Sequence, residues 1–140
     1  MVPINYWAVL AAAASSIVLG FLWYGPFFGK QWMKLMGFTK ESINEAKKKG
    51  MAKTYALMVF GSLLMAFVLA HNTLFGVAYL NIGGVPGGLQ AGFWNWIGFA
   101  VPLLMDGQLW EDKPWKLFWI NASYRLVSFL IMGAILATWV

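Results

Sequence analysis

Four long apolar runs separated by polar connections dominate the chain. Each run is close to the roughly 20 residues that an α-helix needs to cross the hydrocarbon core of a bilayer. The runs cover residues 4–24, 54–75, 89–109 and 117–139. The pattern predicts an all-α fold in which residues 1–140 form one integral membrane domain, a bundle of four transmembrane helices.

Composition favours a membrane protein over a soluble domain. Of the 140 residues, 61% are hydrophobic and only 11% are charged, and there is no cysteine. Soluble domains of this size do not have such a composition, and without cysteine there is no disulfide, thiolate metal site or cysteine nucleophile. The net charge of +5 comes from lysines that lie between the apolar runs. They form no aromatic-interleaved basic face, so we expect anionic lipid headgroups as partners and no nucleic acid.

The positions of the lysines predict how the chain is oriented. Seven lie in the connection between the first two runs and two lie between the last two, while none precedes the first run or separates the second from the third. By the positive-inside rule, both termini face the outer side of a bacterial plasma (inner) membrane. The first run has no basic flank, and Asn5, Tyr6 and Trp7 resemble an interfacial anchor, so we expect it to be retained in the mature protein.

The connections are predicted to be a surface helical segment and a loop. Residues 27–53 place apolar residues against Lys30 and Lys34, which is typical of an interfacial helix. Simple membrane anchoring is the first interpretation, and lipid recognition or partner docking is the alternative. Ser42 and Glu45 have the spacing of a capping box for a following helix. The glycine-rich run 83–88 is predicted to be a loop tip between the second and third spans.

Small residues recur every four positions and predict close helix packing. Such stripes let helix backbones approach one another in a membrane. They are Ala8, Ala12, Ser16 and Gly20 on the first span, Ser62, Ala66 and Ala70 on the second, and Gly133 and Ala137 on the fourth. On the third span, Pro102 is expected to free the carbonyl of Gly98 and bend the helix. Stripes on three helices exceed what one bundle needs, so we expect a homo-oligomer.

The two halves of the chain also share short similar segments in the same order. Residues 63–70 resemble 130–137, residues 20–23 resemble 107–110, and residues 30–32 resemble 113–115. The matched helices cross in the same direction, which indicates a parallel two-plus-two pseudo-repeat. Chance similarity between apolar segments is the alternative.

Four polar residues fall at membrane depth in the inner half of the third and fourth spans. They are Asp106, Gln108, Asn121 and Arg125. A guanidinium stays charged and is costly in hydrocarbon, so Arg125 needs a counter-charge or a wet cavity. In one interpretation, Arg125 pairs with Asp106 and the cluster holds two helices in register. In the other, the cluster lines a pathway or a headgroup pocket in which Arg125 binds an anion.

The remaining polar residues at membrane depth lie near the outer side, and none indicates catalysis. They are His71, Asn72 and Asn95. A single histidine without a second ligand does not predict a metal site. There is no nucleophile with a base beside it and no pair of acids at one level, so we expect neither an enzyme nor a cofactor.

Two motifs give the chain a resemblance to a known family. They are Trp23-Tyr24-Gly25-Pro26 and Pro114-Trp115-Lys116-Leu117-Phe118-Trp119-Ile120-Asn121-Ala122. With the segments 29–37 and 132–136, they make the whole chain resemble the bacterial membrane family called domain of unknown function 1761. The resemblance implies a short four-helix membrane protein with no established activity. Asn121 fits that family's pattern, whereas the charges at Asp106 and Arg125 depart from it.

Together these features predict a membrane protein without catalytic activity and of unknown biochemical role. The first hypothesis is an interaction or structural subunit that associates with itself or with a larger complex. The alternative is a homo-oligomeric channel or transporter for a small solute or an anion, which would use the inner polar cluster.

Overall fold

The computed structural model describes residues 2–139, which are helical over most of their length, so the predicted all-α class is confirmed. The α-helices are α1 (Tyr6–Leu22), α2 (Gly29–Met36), α3 (Lys40–Lys49), α4 (Ala52–Leu80), α5 (Gly84–Asn95), α6 (Val101–Trp110) and α7 (Trp115–Thr138). A first π turn, Trp23–Phe27, follows α1, and a second π turn, Trp96–Ala100, joins α5 to α6.

Within the described residues, three helices are long and apolar enough to cross a membrane: Tyr6–Phe27, Ala52–Leu80 and Trp115–Thr138. They correspond to the first, second and fourth predicted spans. The third predicted span, 89–109, falls in helical chain that runs from α5 through the second π turn into α6. This segment is therefore not one uninterrupted α-helix.

The first π turn contains a proline and the second is followed by one, and both turns are hydrogen-bonded to α7. Proline lacks the N–H that continues an α-helical ladder, and the chain widens locally to relieve the clash of its ring. Pro26 lies within the first π turn, and Pro102 follows the second, which contains Gly98. Each turn also begins with a tryptophan. The indole N–H of Trp23 donates to the Ile120 carbonyl (3.1 Å), and that of Trp96 donates to the Ala122 carbonyl (2.8 Å).

The glycine-rich run 83–88 is mostly helical, so the prediction of a loop tip was wrong. Only residues 81–83 connect α4 to α5. The glycines serve close packing instead, because Gly88 of α5 and Gly133 of α7 touch through their backbones. A Cβ on either residue would collide with the carbonyl oxygen of the other. Gly92 has the same relation to the Phe129 carbonyl, so α5 and α7 approach as closely as two helices can.

The core lies at the end of the bundle that holds both chain termini, here called the terminal end. It includes Ala8, Ala12, Ala66, Ala70 and Met132. The Asn5 side-chain amide donates to the Trp139 carbonyl (3.2 Å), which joins the start of α1 to the end of α7. The opposite end of the bundle, where α4 and α7 begin beside Lys53, Lys113 and Lys116, is here called the lysine end.

The predicted stripes of small residues are used within one chain. Gly20 is half-buried, and the others are buried: Ala8, Ala12, Ser16, Ser62, Ala66, Ala70, Gly133 and Ala137. Because these residues already face neighbouring helices, the stripes no longer require a second copy of the chain. Self-association therefore stays a prediction, as does the pseudo-repeat.

The lysine-rich connection contains two helices, α2 and α3. The capping box of α3 lies three residues before the predicted one. The Thr39 hydroxyl accepts from the Ser42 backbone N–H (3.1 Å), and the Ser42 hydroxyl accepts from the Thr39 N–H (2.8 Å). The helix therefore begins at Lys40. Its last turn holds Lys47, Lys48 and Lys49, where positive charge is favoured by the helix dipole.

Candidate functional site

The four polar residues predicted as one cluster are divided between two spaces. Asp106, Gln108 and Asn121 line a pocket of about 310 Å³ at the lysine end. Arg125 lines a different cavity of about 540 Å³. Among residues 2–139, no carboxylate oxygen lies within 4.0 Å of a guanidinium nitrogen, so the predicted pair of Arg125 with Asp106 is not formed. Asp106 is exposed instead.

The larger space, here called the Arg125 cavity, is lined by α1, α4 and α7 in the half of the bundle nearer the lysine end. Phe21 of α1 and Tyr55 of α4 pack against each other at its edge, with ring centroids 6.3 Å apart. The remaining lining comes from the first π turn, α1, α2, α4 and α7: Ile17, Gly20, Tyr24, Trp32, Met58, Gly61, Ser62, Met65, Tyr124 and Arg125. Most of the surface is aromatic or apolar, and Arg125 is the one charged residue that residues 2–139 contribute to the lining.

Arg125 has only weak partners in this position. Its Nη1 donates to the Met65 sulfur at 3.7 Å, and its Cζ lies 5.0 Å from the centroid of the Tyr124 ring. A thioether is a poor acceptor, and a neutral ring attracts a cation far less than a carboxylate does. The side chain is half-buried, so its charge is partly withdrawn from solvent without a counter-ion in the lining.

Tyr124 forms the base of the cavity and joins α7 to α1. Its hydroxyl donates to the Ser16 carbonyl (2.9 Å), while the Ser128 hydroxyl donates to the Ser16 hydroxyl (2.8 Å). A Cβ at Gly20 would lie 3.0 Å from the Tyr124 hydroxyl, which explains why the stripe on α1 continues with glycine. Ser16 is thus buried and hydrogen-bonded between α1 and α7.

A hydrogen bond joins the linings of the two spaces. The Tyr24 hydroxyl donates to Asn121 Oδ1 at 2.6 Å. Tyr24 lines the Arg125 cavity, whereas Asn121 lines the lysine-end pocket. The Tyr24 ring is further held by edge contacts with Trp32 (5.3 Å) and Tyr124 (5.2 Å). The polar pocket and the aromatic cavity are thus neighbours.

Sequence reasoning missed the aromatic half of the site. Tyr24, Trp32, Tyr55 and Tyr124 were not among the predicted site residues. The Trp-Tyr-x-Pro motif could have indicated Tyr24 as a site residue. Its tyrosine and proline lie in the first π turn, and from there Tyr24 reaches Asn121.

The polar residues predicted for the outer side lie in two separate contacts. The Asn72 amide donates to Asn95 Oδ1 (2.9 Å), and the Asn95 amide donates to the Ala91 carbonyl (2.8 Å). His71 Nδ1 lies 2.9 Å from the Phe67 carbonyl oxygen, and its ring contacts the Phe67 ring. Within residues 2–139, no group of three His, Cys, Asp or Glu side chains is placed to hold a metal ion.

The Asn72 and Asn95 contact is expected to couple α4 to α5 by about 0.6 kcal/mol, because amide pairs inside membrane bundles contribute about that much. The measurement is a double-mutant cycle on the free energy of unfolding, with Asn72→Ala, Asn95→Ala and the double variant. His71→Ala combined with Asn95→Ala serves as the control pair and should be additive. Strict additivity of the two asparagine substitutions would contradict the contact.

The fold and the site define an all-α protein with helices of membrane-spanning length and a charged residue facing an internal cavity. The chain belongs to the family described as "Protein of unknown function (DUF1761)", whose family model matches residues 7–137. This match confirms the resemblance drawn from the sequence motifs. Neither a curated protein nor a solved structure matches the chain.

Proposed function

We propose that the chain is a four-span membrane protein without catalytic activity, which binds an anionic group in the Arg125 cavity. The three long helices supply three spans, and the segment from α5 to α6 supplies the fourth, bent at its π turn. Both termini face the outer side of a bacterial inner membrane. The lysine end then faces the cytoplasm and its anionic headgroups.

The observation that supports this function is the position of Arg125 beside a cavity of about 540 Å³ with no carboxylate in contact. A charge at membrane depth costs several kcal/mol unless it is compensated. The structural alternative, in which the polar cluster only holds helices together, relies on an ion pair with Asp106 that is not formed. A bound anion or water would supply the missing compensation.

The lysine-end pocket provides a route by which a solute could reach the cavity. It is lined by Lys113 as well as Asp106, Glu111 and Asn121. The Tyr24 to Asn121 hydrogen bond joins the lining of this pocket to the lining of the Arg125 cavity. The arrangement suits either a transporter or a binding protein, because both need an anion site that a solute can enter and leave.

The experiment is charge-selective labelling of a single cysteine in the cavity. The chain has no cysteine of its own, and a Cβ at Gly61 would meet no atom within 4 Å. We expect Gly61→Cys to react faster with a sulfonate-bearing methanethiosulfonate than with a trimethylammonium-bearing one. Adding Arg125→Gln should lower this rate ratio at least about tenfold, since a charge some 10 Å away at an effective dielectric of about 20 contributes about 1.7 kcal/mol.

Two controls separate this effect from misfolding and from general surface charge. Arg125→Lys keeps the positive charge and should keep the rate ratio close to that of the parent. Asn44→Cys, exposed on α3 outside the cavity lining, should give a ratio that does not respond to Arg125→Gln. A ratio at Gly61→Cys that is the same with arginine and with glutamine would refute the proposed function.

A further inference from the structure

We infer that the ligand of the Arg125 cavity is a monocarboxylate with an apolar body. This inference rests on the proposed function and adds the chemical class of the ligand. It follows from the charge, the hydrogen-bond donors, the walls and the opening of the cavity.

The charge and the donors of the cavity match one carboxylate. Within the described part of the chain, Arg125 is the one charged residue in the lining, so a single negative charge neutralises it. The hydroxyls of Tyr24 and Tyr124 already donate to Asn121 and to the Ser16 carbonyl. Among residues 2–139, the guanidinium is the one charged donor in the lining, beside the neutral donors of Trp32, Tyr55 and Ser62, and its planar geometry suits the two oxygens of a carboxylate. A phosphate dianion would keep excess negative charge in a largely apolar space.

The walls and the volume of the cavity match an apolar body. Beyond Arg125 the lining includes Ile17, Phe21, Met58, Met65 and Trp32. A volume of about 540 Å³ lies in the range of pockets that hold a whole small organic molecule and far exceeds a carboxylate group. Methionine side chains adapt to different apolar shapes, so the body of the ligand is selected mainly by its hydrophobicity.

The exposed ring pair of Phe21 and Tyr55 marks a lateral way in between α1 and α4. Phe21 is 57% exposed and Tyr55 is 46% exposed, and both rings line the cavity. Because the rings are packed against each other, an acid dissolved in the bilayer would have to displace them before its carboxylate could reach Arg125. A free acid from water could instead come through the lysine-end pocket. Both sources present the same chemistry.

The test measures binding to the full chain in nanodiscs of zwitterionic lipid, by protection of Gly61→Cys from labelling. Octanoate is expected to protect at concentrations at least tenfold lower than acetate or octanol, which lack the apolar body and the charge, respectively. Arg125→Gln should weaken octanoate protection at least tenfold, while Arg125→Lys should retain part of it. Protection is measured with a small neutral thiol reagent. The loss of charge in Arg125→Gln then does not by itself change the labelling rate.

A matched pair of aromatic substitutions tests the walls. Phe21→Ala should weaken octanoate protection several-fold and leave acetate unchanged. Phe60→Ala is the control, since Phe60 has a similar exposure of 59% but lines a different groove on α4. To distinguish the sources, octanoate is either added in water or preloaded in the lipid. Faster protection from preloaded lipid supports the lateral way in.

Three results would overturn the inference. They are equal protection by acetate and octanoate, protection by octanol as strong as by octanoate, and stronger protection by inorganic phosphate or by nanodiscs containing phosphatidylglycerol. If one of these is found while labelling at Gly61→Cys stays charge-selective, only the ligand class is wrong. If the ratio of labelling rates at Gly61→Cys is also unchanged by Arg125→Gln, the proposed function is wrong as well.

Discussion

Gly133→Ala is expected to lower the free energy of unfolding by about 3 kcal/mol, because the new methyl group would collide with the Gly88 carbonyl. Neither backbone can yield locally, so α5 and α7 must separate along their whole contact. The measurement is unfolding in sodium dodecyl sulfate and mild detergent, followed by tryptophan fluorescence. Gly61→Ala is the matched control, since it adds a methyl group where no atom lies within 4 Å. Its stability should be unchanged or slightly higher, as alanine favours helix over glycine.

The same contact predicts how two substitutions combine. Once Gly133→Ala has separated the helices, Gly88→Ala should cost much less than it does alone, so the double variant should be non-additive. Equal stability of Gly133→Ala and Gly61→Ala would show that the two helices do not touch through their glycines.

Tyr124→Ala is expected to be about as destabilising, by about 3 kcal/mol, because it removes a ring that is only 8% exposed. The ring packs against Trp23 and Tyr24, and its hydroxyl holds the Ser16 carbonyl. Tyr124→Phe keeps the ring and loses only the hydrogen bond, so it should cost about 1 kcal/mol. The same unfolding assay measures both variants.

Comparison of Tyr124→Ala with Tyr124→Phe separates the contribution of ring packing to stability from that of the hydrogen bond. Ser128→Ala removes a hydroxyl of the same group without removing a ring, and it should resemble Tyr124→Phe. A loss as large for phenylalanine as for alanine would show that the hydroxyl, and not the ring, holds α7 to α1.

The hydrophobic pattern predicted the all-α class and the three long helices because a membrane allows few alternatives. Backbone groups in hydrocarbon must bond within their own segment, so a long apolar run has to be a helix. The spacing of Ala8, Ala12 and Ser16 identified a packed face for a similar reason, since residues four apart share one face of a helix. These are properties of a single helix, and the sequence of that helix is sufficient for them.

Properties that depend on two helices were harder to predict. The glycines at 83–88 are compatible both with a turn and with close helix packing. Which of the two structures forms depends on Gly133, which lies far away in the sequence. The interpretation that pairs Arg125 with Asp106 also depended on two helices. A π turn adds one residue and shifts the following helix face by roughly 100°. Asp106 follows such a turn, at Trp96–Ala100, which no periodicity in α6 reveals.

The contrast between the two ends of the bundle has a mechanical consequence. At the terminal end, α1, α4 and α7 meet largely through alanine side chains, with Leu69, Met132 and Leu136 buried among them. At the lysine end, the same helices are separated by long flexible side chains such as Met58 and Met65. The bundle is therefore packed more closely at the terminal end than at the lysine end. If the proposed ligand enters the cavity, we expect the bundle to widen at the lysine end, where Trp32 of α2 lines the cavity.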